Sequence, residues 1–96
     1  MTYDENLLVC LSEECDEVSQ RACKALRFGI DEIQEGQELT NAERIVYEFN
    51  DLFAVMEMLA DRGLIHKILD RTAIEQKKIK VLEGIKYSIK EGCIRL

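Results

Sequence analysis

The sequence of 96 residues contains neither proline nor tryptophan, and aromatic side chains make up only 6% of it. An all-β domain of this length would need more of the turn-forming residues that separate strands. Hydrophobic residues nevertheless account for 47% of the chain, which is enough for one modest core. The composition therefore favours a single all-α domain that spans residues 1–96.

The chain also lacks long apolar runs and basic clusters. Its uninterrupted apolar stretches are only a few residues long, so we expect no segment that spans a membrane. A formal net charge of −6 argues against binding to a nucleic acid polymer. The N-terminal MTYDEN has neither the basic nor the apolar region of a signal peptide. We therefore expect a reduced, cytoplasmic setting for the four cysteines, rather than disulfides.

Hydrophobic residues recur at helical spacing in three segments. The first helix is predicted from about residue 4 to 27, and the third from Asp70 or Thr72 to about Glu91. Thr40 and Glu43 form a capping-box signature that predicts a second helix from about residue 41 to the DRG at 61–63. The predicted core stripes of the first two helices are Leu8, Leu11, Cys15, Val18, Ala22 and Leu26, and Ile45, Phe49, Leu52, Met56 and Leu59.

The second helix is apolar around most of its circumference, which is typical of a helix that is buried on several sides. Two other helices cannot easily cover it. We therefore predict an antiparallel bundle of three main helices that is completed by homo-oligomerisation, as a homodimer or a homotetramer.

Two pairs of acids accompany these helices, Glu14 with Glu17 and Glu48 with Asp51. Helical projection places each pair on one flank of its predicted core stripe. Packed helices can bring such flanks together, and the converging carboxylates would repel one another unless a cation lay among them. Oxygen ligands favour Mg²⁺, or Mn²⁺. Acids at this spacing are also common on solvated helix surfaces, so both interpretations stay open at this point.

The acidic motifs resemble those of a known family. SEECDEV, with Glu13, Glu14 and Glu17, resembles the EExxE motif of the MazG-like nucleotide pyrophosphohydrolases, and EFND, with Glu48 and Asp51, resembles their ExxD motif. The resemblance covers residues 7–60 well and extends more weakly to KKIKVLEGIKYS, which looks like the last helix of small phage and bacterial members. Thirty residues separate the two motifs, somewhat more than is usual for the family, and the surplus falls in the connection RFGIDEIQEGQEL, since loops tolerate insertions and often shape a substrate pocket.

The resemblance implies a fold of the all-α NTP pyrophosphatase superfamily and Mg²⁺-dependent hydrolysis of nucleoside triphosphates to the monophosphate and pyrophosphate. It implies that Glu14, Glu17, Glu48 and Asp51 are the catalytic metal ligands. Glu13 projects away from the predicted core, so we expect it in solvent or beside the ligands rather than on the ion.

The third helix supplies positive charge beside its apolar stripe. Lys77 and Lys80 are candidates to hold the outer phosphates of the substrate, although both also suit a solvated helix face. Two alternatives to the hydrolase stay open. The chain would be either a non-catalytic helical interaction module or a degenerate family member that binds nucleotides without hydrolysing them.

Overall fold

The computed structural model describes residues 1–66 and 68–95, and within them the protein is all-helical. Helix α1 spans Tyr3–Phe28, α2 spans Asn41–Asp61 and α3 spans Arg71–Lys90. Within these described ranges, every helix is too short or too polar to cross a bilayer. The predicted all-α class and the three predicted helices are therefore confirmed.

Each helix begins at a side chain that accepts a hydrogen bond from the first turn. Thr2 caps α1, and the capping box predicted at the start of α2 is formed in both directions between Thr40 and Glu43. Asp70, one of the two candidates for the third cap, accepts a hydrogen bond from the amide of Ala73 at 3.1 Å. The local signals in the sequence therefore place all three N-termini to within a residue or two.

The described residues divide into two compact units, Met1–His66 and Lys67–Leu96. The first unit is an antiparallel hairpin in which α1 packs against α2. Arg62, just after α2, forms an ion pair of 2.8 Å with Asp4 in the first turn of α1. At the other end, the Asn41 amide donates a hydrogen bond of 2.8 Å to the carbonyl of Gly29. The second unit contains α3, on which the structure shows no buried residue.

The hairpin seam is the set of residues that lie buried or half-buried where α1 and α2 face each other. Its members follow alternating steps of four and three residues on both helices, which is the spacing of a coiled-coil seam. They are Leu7, Leu11, Glu14, Val18, Arg21 and Ala25 on α1, and Asn41, Ile45, Glu48, Leu52, Val55 and Leu59 on α2.

This seam corrects the predicted core stripes. Leu11 and Val18 lie in it as expected, but Leu8 and Leu26 are 52% and 89% exposed. At about 100° per residue, the seam is turned by roughly 70° on α1 and roughly 40° on α2 from the predicted stripe centres. Both turns are toward the acids, so Glu14 and Glu48 lie within the seam rather than beside it.

The apolar residues that the seam leaves out gather on the opposite side of the hairpin from the acids. Helical projection places Leu8, Cys15, Ala22 and Leu26 of α1 on this side, together with Val46 and Phe49 of α2. We call this surface the apolar edge; all six residues are exposed. The predicted stripe was wrong because it averaged two apolar surfaces, the seam and this edge.

Asn41 fixes the turn between the helices. Its side chain is only 1% exposed, and its amide nitrogen donates to the Gly29 carbonyl and to Glu32 Oε1 at 2.8 and 3.0 Å. Gly29 itself ends α1 with a φ of 109°, a value that L side chains rarely adopt. The buried Asn41 side chain therefore acts together with backbone hydrogen bonds in the connection, among them those from the Asn41 and Ala42 amides to the carbonyls of Glu32 and Ile30, both at 3.0 Å.

We predict that Asn41→Ala lowers the free energy of unfolding by about 1–3 kcal/mol, because it removes two partly buried hydrogen bonds. The matched control is Asn50→Ala, which replaces an exposed asparagine of the same helix and reports the gain in helix propensity alone. Urea unfolding followed by circular dichroism measures both. Equal stability of the two variants would show that the turn does not depend on Asn41.

Candidate metal centre

Three of the four predicted ligands come together across the hairpin seam. Glu14 on α1 and Glu48 and Asp51 on α2 each offer one carboxylate oxygen, and these atoms all lie within 4.8 Å of one another. Glu14 and Glu48 are half-buried, whereas Asp51 is exposed. We call these three residues the acid triad. It joins the two sequence motifs, which are distant in the chain, at one point on the surface.

The rotation of the seam explains why these residues meet. Glu48 occupies a seam position and Asp51 follows three residues later on the same side of α2, so both face the flank of α1 that carries Glu14. The antiparallel arrangement places that flank of each helix on the same edge of the hairpin. The triad is therefore a consequence of how the two helices are turned about their axes.

Electrostatics at the triad disfavour a third negative charge. Partial burial raises the pKa of Glu14 above its usual range, and the nearby charges of Asp51, Glu48, Glu17 and Glu13 raise it further, in that order. A cation at the same point would oppose this shift, since it would attract the ionised Glu14 carboxylate directly and offset the charges of its neighbours.

The donor set suits a hard divalent cation. All three ligand atoms are carboxylate oxygens, which Mg²⁺ and Mn²⁺ prefer over sulfur and nitrogen. The triad oxygens lie within 4.8 Å of one another, so a single ion could lie within reach of all three, with water or substrate oxygens in its remaining positions.

The other predicted site residues lie outside the triad. Glu17 is exposed on the next turn of α1, near enough for its charge to raise the pKa of Glu14. Glu13 is exposed, as expected from its projection. Lys77 and Lys80 are exposed on α3, in the second unit.

Arg21 is a polar residue with an unexpected environment. It follows Glu17 by four residues, a spacing typical of a surface ion pair, but the structure, which describes both residues, shows no such pair. Arg21 is instead 5% exposed, and its Nε and Nη1 atoms are buried without a hydrogen-bond partner. The four-and-three spacing from Leu7 through Val18 could have identified it as a seam residue.

Comparisons of the chain with protein-family models, with curated proteins and with solved structures found no significant match. The resemblance to the MazG-like enzymes therefore stays a prediction that depends on the two acidic motifs.

The raised pKa of Glu14 predicts how stability changes with pH. A carboxyl that holds its proton more tightly when folded contributes stability that is complete below the pKa of an unfolded glutamate. That contribution is lost as the pH rises through the higher pKa of the folded state. Because Glu14→Gln is neutral at every pH, it should gain in Tm over the wild type as the pH rises.

Thermal melts in the presence of a chelator, between about pH 4 and about pH 8, measure this difference. The control is Glu57→Gln, which removes an exposed acid from α2 and should show no such trend. A Tm difference between Glu14→Gln and the wild type that stays constant across the range would contradict the assignment.

Proposed function

We propose that this protein is a Mg²⁺-dependent nucleoside triphosphate pyrophosphohydrolase, which converts an NTP or dNTP and water to the monophosphate and pyrophosphate. The observation that carries the proposal is the acid triad, in which residues of the EExxE-like and ExxD-like motifs converge. This convergence supports a shared ion, because it brings acids from two motifs that are distant in the chain to one point on the surface. Nucleotide-pool house-cleaning is the cellular role that such an activity would serve.

In this proposal the chain provides the ligands, and the ion, when bound, neutralises the triphosphate and polarises a water molecule. Glu14, Glu48 and Asp51 hold the ion, and Glu17 joins them from the next turn of α1 or orients the water. The water attacks the α-phosphorus, the bond to the bridging oxygen breaks, and the outer two phosphates leave together as pyrophosphate. The expectation from the sequence that Lys77 and Lys80 bind the outer phosphates of the substrate stays part of this proposal.

The proposal includes a homodimer or homotetramer. The apolar edge leaves Leu26 89% exposed and Val46 57% exposed, together with Leu8 and Phe49 at about half their full area. Several large apolar side chains exposed on one side of a helical hairpin commonly mark an interface. A second hairpin placed on this edge would complete a helical bundle and leave the acid triad on the opposite side open to substrate.

The same exposed surface favours the alternative function, a non-catalytic helical interaction module. In that case the apolar edge would bind a partner protein and the acids would only keep the other edge solvated. The two functions differ in whether the acid triad binds a divalent ion that takes part in nucleotide hydrolysis.

We predict that Glu48→Gln and Asp51→Asn each abolish most pyrophosphate release from NTPs in Mg²⁺ and leave the helical fold intact. Losing a direct ligand should cost more than the roughly 10–100-fold that follows loss of a group that only orients one. A nucleotide screen that follows pyrophosphate release measures the activity, with Glu57→Gln as the control on the same helix. Near wild-type turnover in either triad variant would refute the metal assignment.

The position of attack is checked in the same assay with ¹⁸O-labelled water. Attack at the α-phosphorus puts the label in the monophosphate. Label in pyrophosphate or orthophosphate would mean attack at an outer phosphorus, as in an ordinary phosphatase. A wild type that binds divalent ions but hydrolyses none of the nucleotides would instead favour the degenerate or non-catalytic alternatives.

We predict a dimer or tetramer by sedimentation velocity at micromolar concentration, because isolated hairpins would leave the apolar edge in water. Val46→Lys should shift the protein toward the monomer, since it places a charge on that edge. Ala54→Lys is the matched control, because Ala54 is exposed on the face of α2 that projects away from both the seam and the apolar edge. A compact wild-type monomer would contradict the oligomer.

A further inference from the structure

Arg21 lies in an unusual environment for an arginine. It is 5% exposed in the hairpin seam, and Nε and Nη1 are buried without hydrogen-bond partners. The other arginines of residues 1–66 all have visible partners. Arg44 donates to Gln34 at 3.0 Å, Arg62 pairs with Asp4, and Arg27 lies over the ring of Phe28.

A buried guanidinium without acceptors is unfavourable, because the charge has lost its water and gained nothing in return. Two arrangements relieve this cost. Either an anion enters the seam beside the guanidinium, or the guanidinium moves out of the seam to an anion. Nε and Nη1 donate no hydrogen bond to the described residues, so an outward swing of the side chain breaks none at these two atoms. Arg21 therefore has two donors available to a ligand.

The position of Arg21 in the helix identifies where it would respond. Arg21 follows Glu14 by seven residues, which is roughly 20° short of two full helical turns. Arg21 therefore projects between Glu14 and Glu17, on the acid side of the seam. It lies about 10 Å along the axis from Glu14. Helical side chains lean toward the N-terminus of their helix, which for Arg21 is the direction of the acid triad.

We propose that Arg21 is a second anchor for a polyphosphate ligand at the acid triad: its guanidinium moves out of the seam and donates hydrogen bonds to non-bridging phosphate oxygens. The proposal rests on the proposed function for the nature of the ligand. Carboxylates alone cannot bind phosphate, and a divalent ion bridges the two. Arginine adds a planar pair of donors that match phosphate oxygens, which neither the triad nor the ion supplies.

The test compares Arg21→Met with the wild type, using pyrophosphate with Mg²⁺ as the probe and calorimetry and thermal melts as the readouts. We expect the affinity for pyrophosphate to fall by roughly 10- to 150-fold, which is the factor for a lost charged hydrogen bond. Without ligand the Tm should stay equal or rise, because an unpaired buried charge has been replaced by an apolar side chain. Arg21→Lys keeps the charge without the planar fork and should lie between the two.

Lys24→Met is the matched control, since it removes a half-buried cation three residues along the same helix and should leave pyrophosphate affinity unchanged. An Arg21→Met variant that is less stable than the wild type yet binds pyrophosphate equally well would overturn the proposal, because Arg21 would then be only structural. If Arg21→Met does not fold, Arg21→Gln replaces it under the same criteria.

The result of this test can be distinguished from the result of the test of the proposed function. Pyrophosphate binding that depends on Arg21 in a wild type without hydrolytic activity would support this inference and refute the hydrolase. Hydrolysis at the α-phosphorus with pyrophosphate binding independent of Arg21 would refute this inference alone.

Discussion

The turn of α1 and α2 about their own axes is the constraint on which the rest of the hairpin depends. It decides which side chains enter the seam, and it brings Glu14, Glu48 and Arg21 inward. A turn of roughly 70° the other way on α1 would bury Leu8 and Leu26 instead and would leave Glu14 on the surface. The acid triad and the apolar edge are therefore two results of one packing choice.

That choice is not the one that apolar burial alone would make. Leu26 is 89% exposed, whereas Arg21 is 5% exposed without partners for two of its donors. Moving a leucine out of water and an arginine into it would be favourable on both counts. Natural proteins tolerate such local conflicts mainly at functional sites, where the arrangement of polar groups matters more than stability. Cover for the apolar edge by a second subunit would recover the lost apolar burial without undoing the triad.

The sequence predicts the secondary structure of the hairpin better than it predicts the packing of its helices. The helices and their N-termini depend on local signals, such as the Thr40–Glu43 capping box and the Asp70 cap, and these were predicted. The motif acids were also predicted, and Glu14, Glu48 and Asp51 do converge. The rotation of the helices about their own axes was not predicted, because it depends on long-range packing. Two apolar surfaces overlap on one helix, and the packing decides which of them enters the seam. The burial of Arg21 follows from that rotation and was missed with it.

The charges of the hairpin make a cation and a phosphate ligand depend on each other. Without a cation, the acid triad repels a polyanion; within the chain, partial burial first and then the neighbouring carboxylates raise the pKa of Glu14. Without a phosphate, an ion at the triad would be held by carboxylates and would fill its other positions with water. Binding of either partner would therefore raise the affinity for the other, by the same factor in both directions. In the proposed complex Arg21 would take part in only one half of this coupling, since a guanidinium repels a free cation and attracts phosphate. It would thus favour the complete metal–phosphate complex over the metal alone.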